Sequence, residues 1–249
     1  RLRRPWGQSW GLTRTPQKAA IEPVLEKVET PPSAPAPKPR QRLDAVDWLR
    51  GLAVLLMIQT HLYDSWVSPA GKLTGAYWWT RYLGGVPSRL FLMLVGVSMA
   101  IGFERQIDRG TPPAAIVRGA ARRGFEILAL AYLFRFQEYA LAGFWGPIAG
   151  LFRIDILNCI GASMILVAAV AAPRAGRPQY AVALAAAAVF VGLGPVVGPA
   201  YFPSFLPVAL TSYVGGQRPM SWFGLFPWAA WAFVGLAVGH VWVRAARDR

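Results

Sequence analysis

Charged residues, cysteines and histidines are scarce in this sequence, and each shortage excludes a class of protein. Only 15% of the 249 residues are charged, whereas soluble domains carry about 25%. The one cysteine, Cys159, lies within an apolar run, so the chain has no disulfide framework. The two histidines, His61 and His240, leave little with which to bind zinc, so we expect no metal site and no permanently bound cofactor.

Hydrophobic residues take the place of the missing charges. They make up 55% of the chain, which has a mean hydropathy of +0.36 and 11 Trp. Long apolar runs of this composition predict a polytopic membrane protein whose first partner is the lipid bilayer. The formal net charge of +14 does not indicate binding to nucleic acid, because no basic patch is interleaved with aromatic residues.

The chain divides into a tail and an apolar domain. Residues 1–43 contain Pro-rich and charged stretches such as Pro-Pro-Ser-Ala-Pro-Ala-Pro-Lys-Pro-Arg, which cannot bury a core. This composition predicts a disordered, basic, Pro-rich cytoplasmic tail. Residues 44–249 form the predicted transmembrane domain. The chain ends just after a hydrophobic run, so truncation of the domain at that end stays open.

Six apolar segments predict an all-α transmembrane bundle of about six spans. Each segment is near the roughly 17–25 residues that a helix needs to cross hydrocarbon. The predicted spans are 46–66, 83–103, 124–141, 154–172, 180–198 and 222–243.

The distribution of Lys and Arg predicts the orientation of these spans. If the N-terminal tail is cytoplasmic, 20 of the 26 Lys and Arg fall on the same side of the membrane as that tail. Cytoplasmic segments are enriched in positive charge, so we expect both termini in the cytoplasm. The six exceptions are Lys72, Arg81, Arg89, Arg135, Arg153 and Arg218.

The first span carries polar residues along one face. Arg50 and His61 are eleven residues apart, which at about 100° per residue returns within roughly 20° of the same direction. They are separated by roughly 16 Å along the axis, and Asp47 and Asp64 lie near the same line. Ionisable residues in a membrane helix should not face lipid, so this face indicates a functional site.

The predicted orientation brings further polar residues to the outer half of the membrane. Such residues can pair simply to hold a bundle together, but so many at one depth favour a polar cavity open to the outside. The residues are His61, Asp64, Arg89, Arg135, Gln137, Glu138, Asp155 and Asn158. His61 is the histidine of this layer and can accept a proton near neutral pH, while Asp64 can orient its ring.

The cytoplasmic edge has a different composition. Arg118 and Arg122 are four residues apart on a predicted helix, with Arg123 beside them, and together they are suited to binding phosphate. Topology alone also explains basic residues at this edge. Arg50 would lie between this cluster and the membrane interior. The distance of roughly 16 Å along the helix from Arg50 to His61 is comparable to the length of a pantetheine arm.

Three blocks of the sequence resemble the catalytic family of the heparan-alpha-glucosaminide N-acetyltransferases, which includes many bacterial membrane proteins. The blocks are Arg-Leu-Asp-Ala-Val-Asp-Trp-Leu-Arg-Gly-Leu-Ala-Val-Leu-Leu-Met (42–57), the apolar run ending in Gly-x-Ser (89–103), and Arg-Ile-Asp-Ile-Leu-Asn-Cys-Ile-Gly (153–161). Arg50 and His61 also resemble the Arg-x10-His motif of the wider transmembrane acyltransferase superfamily.

The resemblance implies acyl transfer, with acetyl as the first expectation, from cytoplasmic acyl-CoA to an extracytoplasmic glycan, in a bacterial inner membrane. By the superfamily pattern His61 would be the catalytic histidine and Arg50 would lie on the donor side. Together with the positions described above, we expect Asp64 to orient His61 and Arg118, Arg122 and Arg123 to bind the donor. The acceptor or its cavity would then involve Arg89, Arg135, Glu138, Arg153, Asp155 and Asn158. A homo-oligomer is compatible with this interpretation.

Two alternatives remain at this point. A transporter or permease could use the polar cavity for conduction, and the Gly-Pro-rich end of the fifth span would suit its broken helices. The second alternative is a truncated, inactive membrane scaffold. Neither the acyl group nor the choice between O- and N-transfer follows from the sequence.

Overall fold

The computed structural model describes residues 44–171, 179–197, 205–215 and 221–248. The predicted tail at 1–43 and residues 172–178, 198–204, 216–220 and 249 lie outside these ranges. Within the described part of the chain all regular structure is helical apart from one isolated bridge between Ile154 and Ser221. The prediction of an all-α fold is therefore confirmed.

Eight α-helices follow one another along the described chain. Two short 3-10 turns, Gly71–Leu73 and Ile148–Phe152, lie between them. The helices are α1 (Asp44–Trp66), α2 (Gly75–Leu83), α3 (Val86–Asp108), α4 (Pro113–Leu141), α5 (Ile156–Ala171), α6 (Gln179–Leu193), α7 (Val208–Gly215) and α8 (Leu225–Arg247).

The turn between α3 and α4 shows how local sequence sets the helix ends. Gly110 has φ of 72°, a left-handed conformation that glycine adopts without steric cost. The amide of Thr111 then donates to the carbonyl of Gln106 at 3.0 Å, which closes α3. Pro113, whose fixed φ suits the first helical turn, begins α4. Residues 104–123, between the second and third predicted spans, are thus almost wholly helical.

The core lies where α3, α5, α6 and α8 meet. Phe233 and Leu236 of α8, Leu92 of α3 and Val167 of α5 are fully buried there. In a bilayer, burial of these side chains stabilises the fold through van der Waals packing, because lipid tails are as apolar as the side chains themselves.

Small residues allow α3 and α8 to pack backbone to backbone. A Cβ on Gly96 would stand 2.9 Å from the carbonyl carbon of Gly235 and closer still to the backbone of Ala232 and Leu236. A Cβ on Gly235 would in turn lie 2.7 Å from the carbonyl carbon of Met93. Close approach of this kind through small residues is typical of helix pairs in membranes.

Helices α1 and α4 pack on the flanks of this core. Val46 and Ala53 bury one face of α1, which packs mainly on α3. Helix α4 packs mainly on α5, with Gly124 and Gly161 at the contact. The outward faces carry large exposed apolar side chains such as Leu55 and Phe134, as expected of helices that face lipid.

Among the described residues, two segments are long and apolar enough to cross a membrane: Gly75–Asp108, which includes the α2–α3 joint, and Leu225–Arg247. Helices α5 and α6 are also apolar but shorter, at 16 and 15 residues. The prediction of six spans with both termini in the cytoplasm therefore remains a prediction.

Candidate functional site

A polar cavity lies between α4, the turn before α5, and α5 itself. Its volume is about 210 Å³. Five of the six side chains that the sequence predicts for an acceptor site line it, namely Arg135, Glu138, Arg153, Asp155 and Asn158. Ala131, Phe134 and Leu157 complete the wall. The structure thus brings together residues from α4 and from the segment that resembles Arg-x-Asp-x-Leu.

Arg135 forms the base of this cavity. It is only 8% exposed and pairs with both Glu138, at 2.5 Å, and Asp155. A buried guanidinium needs such partners, because an unpaired buried charge is costly. Arg153 lies on the other side of Asp155, with Nε 3.9 Å from Oδ1. Two cations and two carboxylates therefore alternate around a cavity with no net charge.

Arg153 retains unused hydrogen-bonding capacity. Its Nε atom is buried and makes no hydrogen bond. A buried donor without a partner costs about 1–3 kcal/mol, and a ligand with an oxygen acceptor would remove that cost.

Asn158 joins the cavity to two tyrosines that the sequence analysis did not identify. Its side-chain oxygen accepts from the amide of Asp155 at 3.1 Å, which holds the first turn of α5. Its amide nitrogen donates to the Tyr213 hydroxyl at 3.1 Å, and that hydroxyl is 2.7 Å from the Tyr132 hydroxyl. The network ties α4, α5 and α7 together behind the cavity.

A second polar group lies at the end of α1, and we call it the α1 corner: His61, Asp64, Lys72, Tyr77 and Arg81. The Tyr77 hydroxyl donates to Asp64 Oδ1 at 2.7 Å, and Arg81 Nη1 is 3.6 Å from the same oxygen. Lys72 Nζ donates to the Asp64 carbonyl at 2.6 Å. His61 is exposed, one turn before Asp64.

The α1 corner is distinct from the cavity, since the residues that line the cavity all come from 131–158. Among the corner residues, Lys72, Tyr77 and Arg81 were not predicted to belong to a site. Lys72 and Arg81 did carry a signal, because they are two of the six cations on the side expected to be poor in positive charge. Nothing in the sequence marked Tyr77 as a site residue, because aromatic residues are common throughout this chain.

Arg50 points from α1 towards α3. Its guanidinium donates to Ser98 Oγ at 2.5 Å and to Asp47 Oδ1 at 3.1 Å. The same helix therefore carries an ion-paired arginine near its start and His61 and Asp64 near its end. That these residues serve one site remains a prediction.

The other predicted donor residues lie on the first half of α4. Arg122 and Arg123 both pair with Glu126, at 3.0 and 3.1 Å. Arg118 is exposed. All three arginines therefore present charge to the surroundings of α4, and none of them lines the cavity.

Two further ionisable residues lie apart from both groups. Arg89 is exposed; it donates to the Gly85 carbonyl at 2.8 Å and lies over the Trp228 ring, 5.7 Å from its centroid, so it does not line the cavity. His240 is only 2% exposed, and its Nδ1 is 3.3 Å from Glu104 Oε1. We assign His240 a structural role between α3 and α8.

The fold and its polar groups define a class. Apolar helices long enough to cross a bilayer, close packing through glycine, and ionisable residues gathered around a polar cavity indicate a helical membrane protein with a polar site.

The family follows from comparison with known proteins. The chain matches the family described as heparan-alpha-glucosaminide N-acetyltransferase, catalytic, over residues 42–249, and it belongs to that family. No curated protein and no solved structure matches the chain. Membership in this family indicates an activity of the acyltransferase type.

Proposed function

We propose that this protein is an integral membrane acyltransferase. It moves an acyl group, with acetyl as the first candidate, from cytoplasmic acyl-CoA to an extracytoplasmic sugar or glycan. The observation that carries the proposal is the arrangement of α1, in a chain of this family. Arg50 lies near one end and the His61–Asp64 pair near the other, so one helix connects a donor side to an acceptor side.

The chemistry assigned to His61 is general base catalysis. As the amine or hydroxyl of the acceptor attacks the acyl carbon, its proton passes to the imidazole. The bond between the acyl carbon and the CoA sulfur breaks, and the thiolate leaves as the new bond forms. The proton held by His61 then returns to the thiolate or to water. The carboxylate of Asp64 stabilises the imidazolium that forms in between.

The cavity beside Arg135 is proposed to bind a part of the acceptor glycan that lies away from the reacting sugar, because the cavity is separate from the α1 corner that holds His61. Its carboxylates can accept hydrogen bonds from sugar hydroxyls, and the buried Nε of Arg153 can donate one. A site built to hydrogen-bond a sugar discriminates strongly against analogues that lack a hydroxyl. Such a binding site is in keeping with the balanced charge of the cavity.

The donor is proposed to bind through Arg118, Arg122 and Arg123 on α4, with Arg50 nearer the acyl end. Surface ion pairs such as those with Glu126 are worth less than about 1 kcal/mol, so a CoA phosphate can displace them. Phosphate groups bind arginine through paired hydrogen bonds. We place the protein in a bacterial cytoplasmic membrane, with the described domain in the lipid bilayer and the donor side in the cytoplasm.

Acetyl transfer by the full chain in proteoliposomes tests this proposal. Acetyl-CoA and glucosamine serve as probes, and acetylated sugar is measured by mass spectrometry. Replacement of a catalytic base typically costs about 10²–10⁴-fold in rate, so His61→Ala should lose transfer by that factor. Tyr63→Ala, an exposed aromatic truncation on the same turn, serves as the matched control. Undiminished transfer by His61→Ala would contradict the role of His61.

A further inference from the structure

Helix α2 packs its one buried residue against the end of α1. Tyr77 is 9% exposed, whereas its neighbours Trp78 and Trp79 are each 71% exposed. Thr74 is the N-cap of the helix, and its hydroxyl accepts from the amide of Tyr77 at 3.4 Å. The Thr80 hydroxyl donates to the carbonyl of Tyr77 at 2.7 Å. The backbone of Tyr77 is therefore held from both sides, and its ring is fixed toward α1.

The hydroxyl of Tyr77 reaches the one carboxylate of the α1 corner. It donates to Asp64 Oδ1 at 2.7 Å, and Arg81 Nη1 lies 3.6 Å from the same oxygen. The Asp64 side chain is 59% exposed, so without these partners it would be free to rotate in the surrounding solvent or headgroups. Hydrogen bonds to charged groups are worth more than neutral ones, and this bond selects one orientation of the carboxylate.

The other carboxylate oxygen, Oδ2, makes no hydrogen bond within the described residues. His61 lies three residues earlier on the helix, on a neighbouring part of the same face. Oδ1 is thus occupied from α2, while Oδ2 stays available to the imidazole.

We propose that Tyr77 is a positioning residue for the His61–Asp64 pair. Its hydroxyl fixes Asp64 through Oδ1, so that the carboxylate is already oriented when His61 takes up the proton of the acceptor. Arg81 assists from the same helix face. The inference rests on the proposed function, because it gives Tyr77 a task in the step that His61 performs. Tyr77 itself does not touch the substrate, and no bond to it forms or breaks.

Tyr77→Phe tests this proposal because it removes one oxygen and keeps the buried ring. The matched control is Tyr82→Phe, on the same helix, where the side chain is 65% exposed and its ring packs edge-on against Trp79. In the acetyl-CoA and glucosamine assay, we expect Tyr77→Phe to lower kcat roughly tenfold, the size of one charge-assisted hydrogen bond. The KM for acetyl-CoA should not change, and Tyr82→Phe should match the wild type.

A double-mutant cycle separates positioning from a structural role. If Tyr77 acts through Asp64, then Tyr77→Phe should have no further effect on kcat in an Asp64→Ala background, where the acceptor of its hydrogen bond is gone. A tenfold loss that persists in that background would overturn the proposal, as would a Tyr77→Phe protein with wild-type kcat. A lowered yield or melting temperature with unchanged kcat per folded protein would also overturn it.

The same assay distinguishes failure of this inference from failure of the proposed function. Transfer that survives His61→Ala contradicts the assignment of His61 as the base, and with it both the proposed mechanism and the role of Tyr77. Loss of transfer in His61→Ala together with wild-type kcat in Tyr77→Phe contradicts only the role of Tyr77.

Discussion

At the scale of single residues, Arg135 shows how exposure decides what an ion pair contributes. It is paired with Asp155 and with Glu138, whose side chains are 36% and 65% exposed. A surface partner contributes little because water and salt screen it, whereas a partly buried one is screened less. The two pairs share one guanidinium, so they provide an internal comparison.

This difference gives a prediction for stability. Asp155→Asn should lower the free energy of unfolding by about 2 kcal/mol, because it weakens the bond to a buried charge. Glu138→Gln should cost less than about 1 kcal/mol. Melting temperatures in detergent, followed by tryptophan fluorescence, measure both variants side by side. Equal decreases in melting temperature for Asp155→Asn and Glu138→Gln would contradict the prediction that Asp155 stabilises Arg135 more than Glu138 does.

The tyrosine network behind the cavity gives a second prediction. Tyr213 joins Tyr132 and Asn158, so Tyr213→Phe breaks two hydrogen bonds and leaves the Asn158 amide without its partner. We expect a loss of about 1–3 kcal/mol. Tyr139→Phe on α4, whose ring packs edge-on against Phe144, is the control. Chemical denaturation that shows equal stability for the two variants would contradict the network's importance.

Some of these residues could be predicted from the sequence and others could not. Charged and amide side chains in apolar spans stand out, so the sequence singles out Arg135, Asp155 and Asn158. Tyr77 and Tyr213 were not found, because a tyrosine in a membrane chain is more often an interfacial residue than a hydrogen-bond donor to a site. The residues predicted for the outer half of the membrane fall mostly into two separate groups, the cavity and the α1 corner. This division depends on which helices pack together, and the periodicity within one span does not reveal helix pairing.

At the scale of elements, the long helices were predictable because hydrophobic length is a strong signal. The helices α1, α3, α5, α6 and α8 overlap the predicted spans. Helix α4 starts at Pro113, well before the predicted 124, because its basic first half is helical without being apolar. The short helices α2 and α7 were missed, since eight or nine residues give a periodicity too brief to recognise.

The contact between α3 and α8 provides a prediction with a matched control on one helix. Gly96→Ala would place a methyl group against the backbone of α8, and overpacking of this kind costs about 1–3 kcal/mol. Gly102, also on α3, has open space around the position of a Cβ. Gly102→Ala should therefore be neutral or stabilising by up to about 1 kcal/mol. Thermal unfolding in detergent compares the two, and a stable Gly96→Ala protein would contradict the close packing.

At the scale of the whole molecule, the positive-inside distribution predicts which end of each helix faces the cytoplasm. Ala70→Cys, in the loop after α1, should be labelled by a membrane-impermeant maleimide in intact cells. Arg109→Cys, in the turn after α3, should be labelled only after lysis. The native Cys159 is fully buried and should not be labelled. Labelling of Arg109→Cys in intact cells would reverse the proposed orientation, and with it the assignment of donor and acceptor sides.

Binding of acyl-CoA tests the central claim most directly, because a transporter or an inactive scaffold has no reason to bind it. A ligand that binds only the folded state stabilises it by about 2.7 kcal/mol at one hundred times its dissociation constant. The melting temperature of the purified full chain should therefore rise with acetyl-CoA concentration and saturate. Acetate at the same concentrations should have no effect, and Arg118→Ala should move the saturation to higher acetyl-CoA. A melting temperature that does not respond to millimolar acetyl-CoA would contradict the assignment as an acyl-CoA-dependent transferase.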